Sequence, residues 1–354
     1  MSYPDNSFFE EKDLLTLTNE FCIEGADSIK SVDSGFVNNT YVVGSSPTNQ
    51  KYILQRLHKI FSFDLLYDIE AVTSHLSLNG IITPRLINTR NGLPGIEKGH
   101  DIWRMMTFIS GRNVSKASPT VAESAGTLLA RYHKIFLSFD YKFKHKIPGY
   151  HDIDRSIKRL ITTKSKFSSM EKDKQLENLI RFVFEQYDKE YFDLSNLPNR
   201  VVHGDPKLSN FLFDNTEDSA MCLVDFDTFS NDYVVVELGD AIRSFCHVQD
   251  EVDIVTFNND IFASFIRGYM SEADFLTNGE ISDIVKGVKI VTLDLCARYI
   301  TDAYEEQYFK HDSSKYSSLF EQNSVKASSL ASFYSELIKN EQQLNDLVKN
   351  CFSI

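Results

Sequence analysis

Residues 203–214 read HGDPKLSNFLFD, and residues 222–229 read CLVDFDTF. Asp205 stands five positions before Asn210, and Asp225 follows Asn210 by fifteen. Short β-rich runs flank these residues: Val201 and Val202 ahead of the motif, Phe211 to Phe213 behind it, and Met221 to Val224 leading into Asp225. Between the first two runs, Gly204, Pro206 and Ser209 force a turn. The pattern predicts one tight loop carrying Asp205 and Asn210, beside a strand that ends at Asp225.

That arrangement suits phosphoryl transfer. The reaction needs little covalent help; it needs a hydroxyl held in line and phosphate charge neutralised. Asp205 is the candidate base for the attacking hydroxyl. Asn210 and Asp225 supply hard oxygen ligands of the kind Mg2+ accepts together with phosphate oxygens and water. Lys207, two residues after Asp205, brings an ammonium toward the group in flight. Asp227 alternates with Asp225 on an extended strand face. It therefore either joins the metal ligands or caps the next turn. His203 is read as a brace for the loop, not as a proton shuttle.

The whole chain sets bounds on this reading. Its 354 residues are long for one core and suit two lobes. Hydrophobic content of 42% and charged content of 25% are ordinary for a globular protein. A net charge of -13 argues against nucleic acid or an anionic membrane as partner. The polar, acidic start MSYPDNSFFEEKD is unlike a signal peptide, and no run of about eighteen apolar residues occurs. The cysteines at 22, 222, 246, 296 and 351 are scattered and lack CxxC spacing. Reduced thiols in the cytosol are expected, with no zinc site.

Along the chain, a short helix is expected over Glu10 to Phe21. Strands are expected over Ile29 to Val32, Asn39 to Val43 and Tyr52 to Leu57. Leu65, Ile69, Val72 and Leu76 give Asp64 to Leu78 a helical period. A fourth strand is expected from Pro84, then a turn at Asn91 to Gly95, then a strand over Asp101 to Phe108. Helices follow over Pro119 to Phe136, Asp152 to Thr163, Met170 to Tyr191, Leu238 to Cys246, Ile254 to Met270, Ile281 to Tyr304 and Ser324 to Lys349. The fold class expected is α+β. A small β-rich lobe over residues 1–110 would bind nucleotide, and a larger helical lobe over 111–354 would carry catalysis and the acceptor.

The HGD motif, its Asn five positions on and the Asp after the next strand resemble the aminoglycoside phosphotransferase and choline kinase superfamily, whose fold is protein-kinase-like. Within it the chain looks most like the N-acetylhexosamine 1-kinases. The segments that carry this likeness are GFVNNTYVV (35–43), KYILQRLHKIF (51–61), IPGYHDI (147–153), ELGDAIR (237–243) and ARYITDAYEEQYFK (297–310). The resemblance implies ATP as phosphoryl donor, Mg2+ as cofactor and a sugar as acceptor, phosphorylated at the anomeric hydroxyl. It makes Asp205 the base and Asn210 and Asp225 the metal ligands.

The resemblance also lays the 35–43 turn, with Gly35, Asn39 and Thr40, over the phosphates. Where kinases usually carry a third-strand lysine paired with a helix glutamate, this chain has Gln55, with Arg56 on the opposite strand face. Glu70 is the candidate helix partner. Arg298 falls where the resembled sugar kinases use an arginine for the sugar. Asp302 and Tyr308 complete a set suited to hydroxyls and a ring face; the alternative is a surface Arg298–Asp302 pair. Asp240 and Arg243 are read as a structural pair near the loop. Trp103 and His133 are read as packed residues. A monomer or weak homodimer is expected. Rival acceptors are another sugar, an aminoglycoside, choline or homoserine, and a non-catalytic nucleotide-binding regulator is the alternative of another class.

Overall fold

A computed structural model describes residues 9–32, 38–167, 174–190, 192–215, 218–249 and 255–352. The chain opens with α1 (Glu11–Thr18), β1 (Ser28–Val32), β2 (Asn39–Ser45), β3 (Gln50–Arg56), α2 (Asp64–Leu78), β4 (Ile96–Lys98) and β5 (Asp101–Thr107). The strands form one antiparallel sheet in the order β1-β2-β3-β5-β4. Its register sets Thr40 opposite Gln55, and Gln55 opposite Arg104. Leu54, Trp103 and Met105 on one face pack with Leu14 and Leu17 of α1. Gln55 and Arg104 therefore share the other face, as strand alternation requires.

The helical part comprises α3 (Pro119–Phe136), α4 (Ile153–Lys166) and α5 (Lys174–Lys189). Four short strands follow: β6 (Asn199–Val202), β7 (Phe211–Phe213), β8 (Ala220–Leu223) and β9 (Ser230–Tyr233). Then come α6 (Val234–Cys246), β10 (His247–Gln249), β11 (Val255–Phe257), α7 (Asn259–Met270), α8 (Asn278–Ser282), α9 (Ile284–Glu305) and α10 (Leu319–Phe352). The fold is kinase-like, an antiparallel sheet followed by a helical lobe.

Sequence pattern fixes several elements to the residue. α2 buries Leu65, Ile69, Val72 and Leu76 along one stripe, at the spacing its period demands. α3 begins where Ser118 accepts a hydrogen bond from the Val121 N–H and Pro119 fills the first turn. α9 is buried nearly all round. It crosses α6 at two glycines: a Cβ on Gly239 would stand 2.3 Å from the Gly287 carbonyl oxygen, and one on Gly287 would stand 1.9 Å from that of Val235. Backbone thus meets backbone, and this contact sets the height of α6 beneath the HGD loop.

Three expectations are corrected. The segment from Pro84 is no regular strand. It meets β5 at one isolated bridge, Leu86 to Met106, because the rest of that β5 edge is taken by β4, which the turn at Asn91 to Gly95 folds back. Val255 to Phe257 is a strand, not the start of a helix. It pairs with β10, and Asn258 then caps α7 by accepting from the Ile261 N–H at 3.0 Å. Asp227 does not continue a strand beside Asp225, since β8 stops at Leu223 and Phe226–Thr228 is a turn of 3₁₀ helix. The expected helical residues Met170 to Asp173 and Tyr191, and Gly35 of the first hairpin, lie outside the described residues.

The hydrophobic clusters cross the sequence boundary at residue 110. α2 shares a cluster with α3, α6 and α7, through Leu65, Leu66, Val72, Leu129, Phe245 and Phe265. A polar tie also joins the sheet-side helix to the helical part. Asp68 of α2 accepts from the Tyr141 hydroxyl at 2.8 Å and from the backbone N–H groups of Lys144 and His145 at 3.0 and 2.8 Å. No helix among the described residues is long and apolar enough to cross a membrane. The five cysteines are free thiols.

At the end of α6, His247 contacts the Ser329 hydroxyl of α10 at 2.9 Å and packs on Phe333. Burial, then the charge of Arg243, pushes its pKa down to about 4 from 6.5. The folded state thus refuses a proton that the unfolded chain accepts. This stability is whole above about pH 6.5 and is lost as pH falls toward 4. Between pH 7 and pH 4.5 the urea midpoint of the wild type should fall further than that of His247→Gln; equal falls would assign acid lability elsewhere.

Candidate active site

The HGD loop hangs from α6. The Glu237 carboxylate accepts the backbone N–H of His203 and that of Gly204, each at 2.8 Å. Burial works against the charge of Glu237. The neighbouring His133, His203 and Gly204 N–H outweigh it and hold the carboxyl below its ordinary value. Ser244, two turns further along α6, accepts from the Leu208 N–H at 2.9 Å. Gly204 adopts φ +86°, and a Cβ there would stand 2.4 Å from the Thr228 carbonyl oxygen, so the turn requires glycine.

His203 braces the loop as expected from sequence. Its Nδ1 accepts from the Asp205 N–H at 3.3 Å, so the proton lies on Nε2, which donates to the Val224 carbonyl at 3.0 Å. Burial pushes its pKa down, and the ring stays neutral in these roles.

Asp205, Lys207, Asn210 and Asp225 converge. The Asn210 amide donates to the Asp205 carbonyl oxygen at 2.8 Å and to its Oδ2 at 3.1 Å. Lys207 also donates to Oδ2. Oδ1 of Asp205 accepts from no described residue. Burial raises the Asp205 pKa despite the charge of Lys207, and Asp240 adds to the rise. Burial opposes the charge on Lys207 too, yet Asp205 and Asp225 together lift its pKa above the ordinary value. β7 and β8 pair across Phe211 and Leu223, and the Val224 N–H bonds the Asn210 carbonyl at 2.9 Å. That pairing brings Asp225 beside the loop.

Asp225 sits in the left-handed region at φ +72°. It is exposed to solvent, and its carboxylate accepts from no described residue. Partial loss of hydration against the protein, then the negative charge of Asp227, raises its pKa above the ordinary carboxylate value. The Asp225 carboxylate and the Asn210 side-chain oxygen, neither of which accepts a hydrogen bond from a described residue, are two hard oxygen donors on this side of the loop. This donor set fits a hard divalent ion that takes its remaining ligands from phosphate and water.

Asp227 is engaged differently. Its carboxylate, 4% exposed, accepts from Arg104 through Oδ1 and from the Asn38 amide through Oδ2 at 2.6 Å. These bonds tie the 3₁₀ turn to the sheet; they leave Asn210 and Asp225 as the oxygen pair open to a cation. Gln55 donates to the Thr40 hydroxyl at 3.0 Å and accepts from Arg104 Nε at 2.8 Å. Both ends of its amide are thus used, and Glu70 does not meet it. Glu70 makes no hydrogen bond or ion pair among the described residues. The buried acid of α2 is Asp68, which bonds the 141–145 segment instead. Asn39 is half-buried at the start of β2. Arg56 points to the far face, where it pairs with Asp101 at 2.7 Å and lies over Phe9.

Arg298 donates to the Tyr308 hydroxyl at 2.6 Å and lies over the rings of Tyr308 and Phe309, at 4.8 and 6.0 Å. Its carboxylate neighbour is Asp294 at 3.8 Å, one turn earlier, and not Asp302. Asp302 leaves the ligand-binding set: only 2% exposed, it accepts from the backbone N–H groups of Gln307, Tyr308 and Phe309 and from the Asn323 amide. It shapes the loop that presents Tyr308. The Tyr150 hydroxyl is raised by burial first and then by the charges of Asp205 and Asp240, with Arg298 opposing. Tyr299, stacked on Phe309 at 4.0 Å, lies in the fields of Arg243, Arg298 and Lys207. Asp240 accepts from Arg243 at 2.7 and 3.0 Å, the structural pair the sequence suggested.

Sequence reasoning missed Glu237, Asn38, Tyr150 and Arg104. Arg104 had a signal: one cation amid Ile102, Trp103, Met105 and Met106 in the apolar middle of β5, a position that buries it and therefore demands a partner. Glu237 had none, because the backbone groups it accepts from lie thirty-odd residues away and His133 lies about a hundred away.

Residues 28–273 match the model of the phosphotransferase enzyme family, and the chain belongs to that family. Solved structures share its fold at low identity. An aminoglycoside phosphotransferase from Alicyclobacillus acidocaldarius is 15% identical with a TM-score of 0.64, covering 94% of this chain and 96% of that one. Choline kinase from Cryptosporidium parvum is 12% identical with a TM-score of 0.62, covering 95% and 97%. Spectinomycin phosphotransferase, solved with ADP and spectinomycin, is 14% identical with a TM-score of 0.51, covering 98% of each chain. These matches support the family and the fold; the finer likeness to N-acetylhexosamine 1-kinases is not among the things they support.

Glu237→Ala should strand two buried N–H donors and destabilise the protein by about 2–5 kcal/mol. Glu237→Gln, which keeps one acceptor oxygen, should cost about half as much. Urea unfolding of the three proteins measures this, and an unchanged midpoint for the alanine variant would remove Glu237 as the anchor of the loop.

Proposed function

We propose that this protein is an ATP- and Mg2+-dependent kinase of a sugar hydroxyl, with the anomeric hydroxyl of an N-acetylhexosamine as the acceptor and the sugar 1-phosphate as product. Residues 1–110 serve the nucleotide and residues 111–354 serve catalysis and the acceptor. The observation that carries the acceptor class is the set of side chains around Asp205. Arg243, Arg298 and Lys207 lie within electrostatic reach of Tyr299, and Tyr150 and Tyr308 border the same space. Guanidinium donors and aromatic ring faces suit a neutral polyol. A cationic acceptor is served poorly, because the aromatic faces of Tyr308 and Phe309 already hold the protein's own cation, Arg298.

ADP in the spectinomycin phosphotransferase structure supports ATP as donor. Bound Mg2+ supplies charge neutralisation at the phosphates, and Asn210 and Asp225 are the residues to hold it. Asp205 then works through Oδ1. Lys207 and the Asn210 amide occupy Oδ2, which fixes the carboxylate plane and leaves Oδ1 to take the proton from the attacking hydroxyl. The raised pKa of Asp205 makes it a stronger base than a free carboxylate. Lys207 stays protonated and stands by the position where the transferred group gathers negative charge.

Asp205→Ala should lower kcat by about 10²–10⁴-fold with nucleotide affinity nearly unchanged, because its contribution belongs to the transition state. Coupled ADP release against N-acetylglucosamine, N-acetylgalactosamine, other free sugars, choline, homoserine and an aminoglycoside, with NMR of the product, tests the acceptor. A 1-phosphate is expected. Turnover on choline or the aminoglycoside alone would discard the sugar site while keeping the family chemistry.

A further inference from the structure

The third strand brings Gln55, not a cation, to the cleft face of the sheet, and the charge on that face comes from β5. Arg104 is 1% exposed. A guanidinium taken from water to that depth is costly unless it is paired and its donors are used. Its Nε donates to Gln55 at 2.8 Å, and one terminal nitrogen donates to Asp227. The other terminal nitrogen has no acceptor among the described residues. Gln55 is itself fixed by Thr40, and Asp227 by Asn38, whose side-chain Oδ1 accepts from the His58 N–H at 2.9 Å. The guanidinium plane is therefore clamped from both lobes with a donor edge unused, and its partner Asp227 lies two residues beyond the left-handed Asp225. The charge of Arg104 reaches that carboxylate as well.

We propose that Arg104 is the phosphate-binding cation of the small lobe, its spare guanidinium edge taking an oxygen of a bound nucleoside diphosphate or triphosphate while Gln55 and Asp227 hold its plane. This rests on the nucleotide-kinase reading above. Arginine is suited to the task, since its planar fork can serve a carboxylate on one edge and a phosphate on another. Asp227 then acts as the counter-charge that keeps Arg104 in place between substrates.

The test is calorimetric binding of ADP and of adenosine to the full chain, with and without Mg2+, for the wild type, Arg104→Met, Arg104→Lys and Asp227→Asn. Arg104→Met should weaken ADP at least about tenfold and leave adenosine within about threefold. Arg104→Lys should recover part of the loss. Asp227→Asn in metal-free buffer should leave ADP unchanged or tighter, because it removes a negative charge and frees the guanidinium. Equal weakening of ADP and adenosine in Arg104→Met would mean a structural role, and wild-type ADP affinity in that variant would overturn the assignment. Should Arg104→Met fail to fold, Arg104→Gln, which keeps a donor for Asp227 without the charge, carries the same two comparisons. A wild-type protein that binds no ADP would instead sink the nucleotide-kinase reading itself.

Discussion

One buried carboxylate holds the candidate catalytic loop in place. Glu237 takes the two N–H groups that the left-handed turn at Gly204 leaves without a secondary-structure partner, and α6 carries Glu237 to them. The same helix supplies Ser244 to Leu208 and the Asp240–Arg243 pair beside Asp205. α6 stands where it does because Gly239 and Gly287 let it meet α9 backbone to backbone. A chain of cause therefore runs from two helix glycines to the height of α6, and from α6 to the carboxylate of Asp205. Buried N–H groups must be paired, which makes this link rigid and not merely compact.

The sheet and the helices are joined by core and by charge. α2 buries its apolar stripe in the same cluster as α3. Asp68 stitches it to the 141–145 segment, and Asp227 receives Arg104 and Asn38 from the sheet side. The cleft between these parts is thus crossed by ionic and hydrogen-bonded groups at its floor. Such groups are costly to expose singly.

Around Arg298, the structure redistributes the roles suggested by residue type. Arg298 and Tyr308 meet directly, while Asp302 folds the loop between them. The difference lies in burial. Asp302 faces four protein donors and no open space, whereas Tyr308 is half exposed and Arg298 lies under aromatic rings. A carboxylate that already has its hydrogen bonds contributes shape to a site rather than affinity for a ligand.

Much of the fold was legible in the sequence, and so was the convergence of residues at the centre of the candidate site. α2 and α3 declare themselves through period, cap and proline, because helix signals are local. The HGD loop is equally local: Asp205, Lys207 and Asn210 converge through turn chemistry within eight residues, and Asp225 follows at the end of the next hairpin. What the order of residues could not show is which distant group each of them meets. β4 and β11 are strands because of the edges they find. Arg104 faces Asp227 across 123 positions, and Glu237 reaches back 34 to hold His203. Those pairings are set by packing depth, where an unpaired polar group is expensive, and depth exists only once the chain has folded.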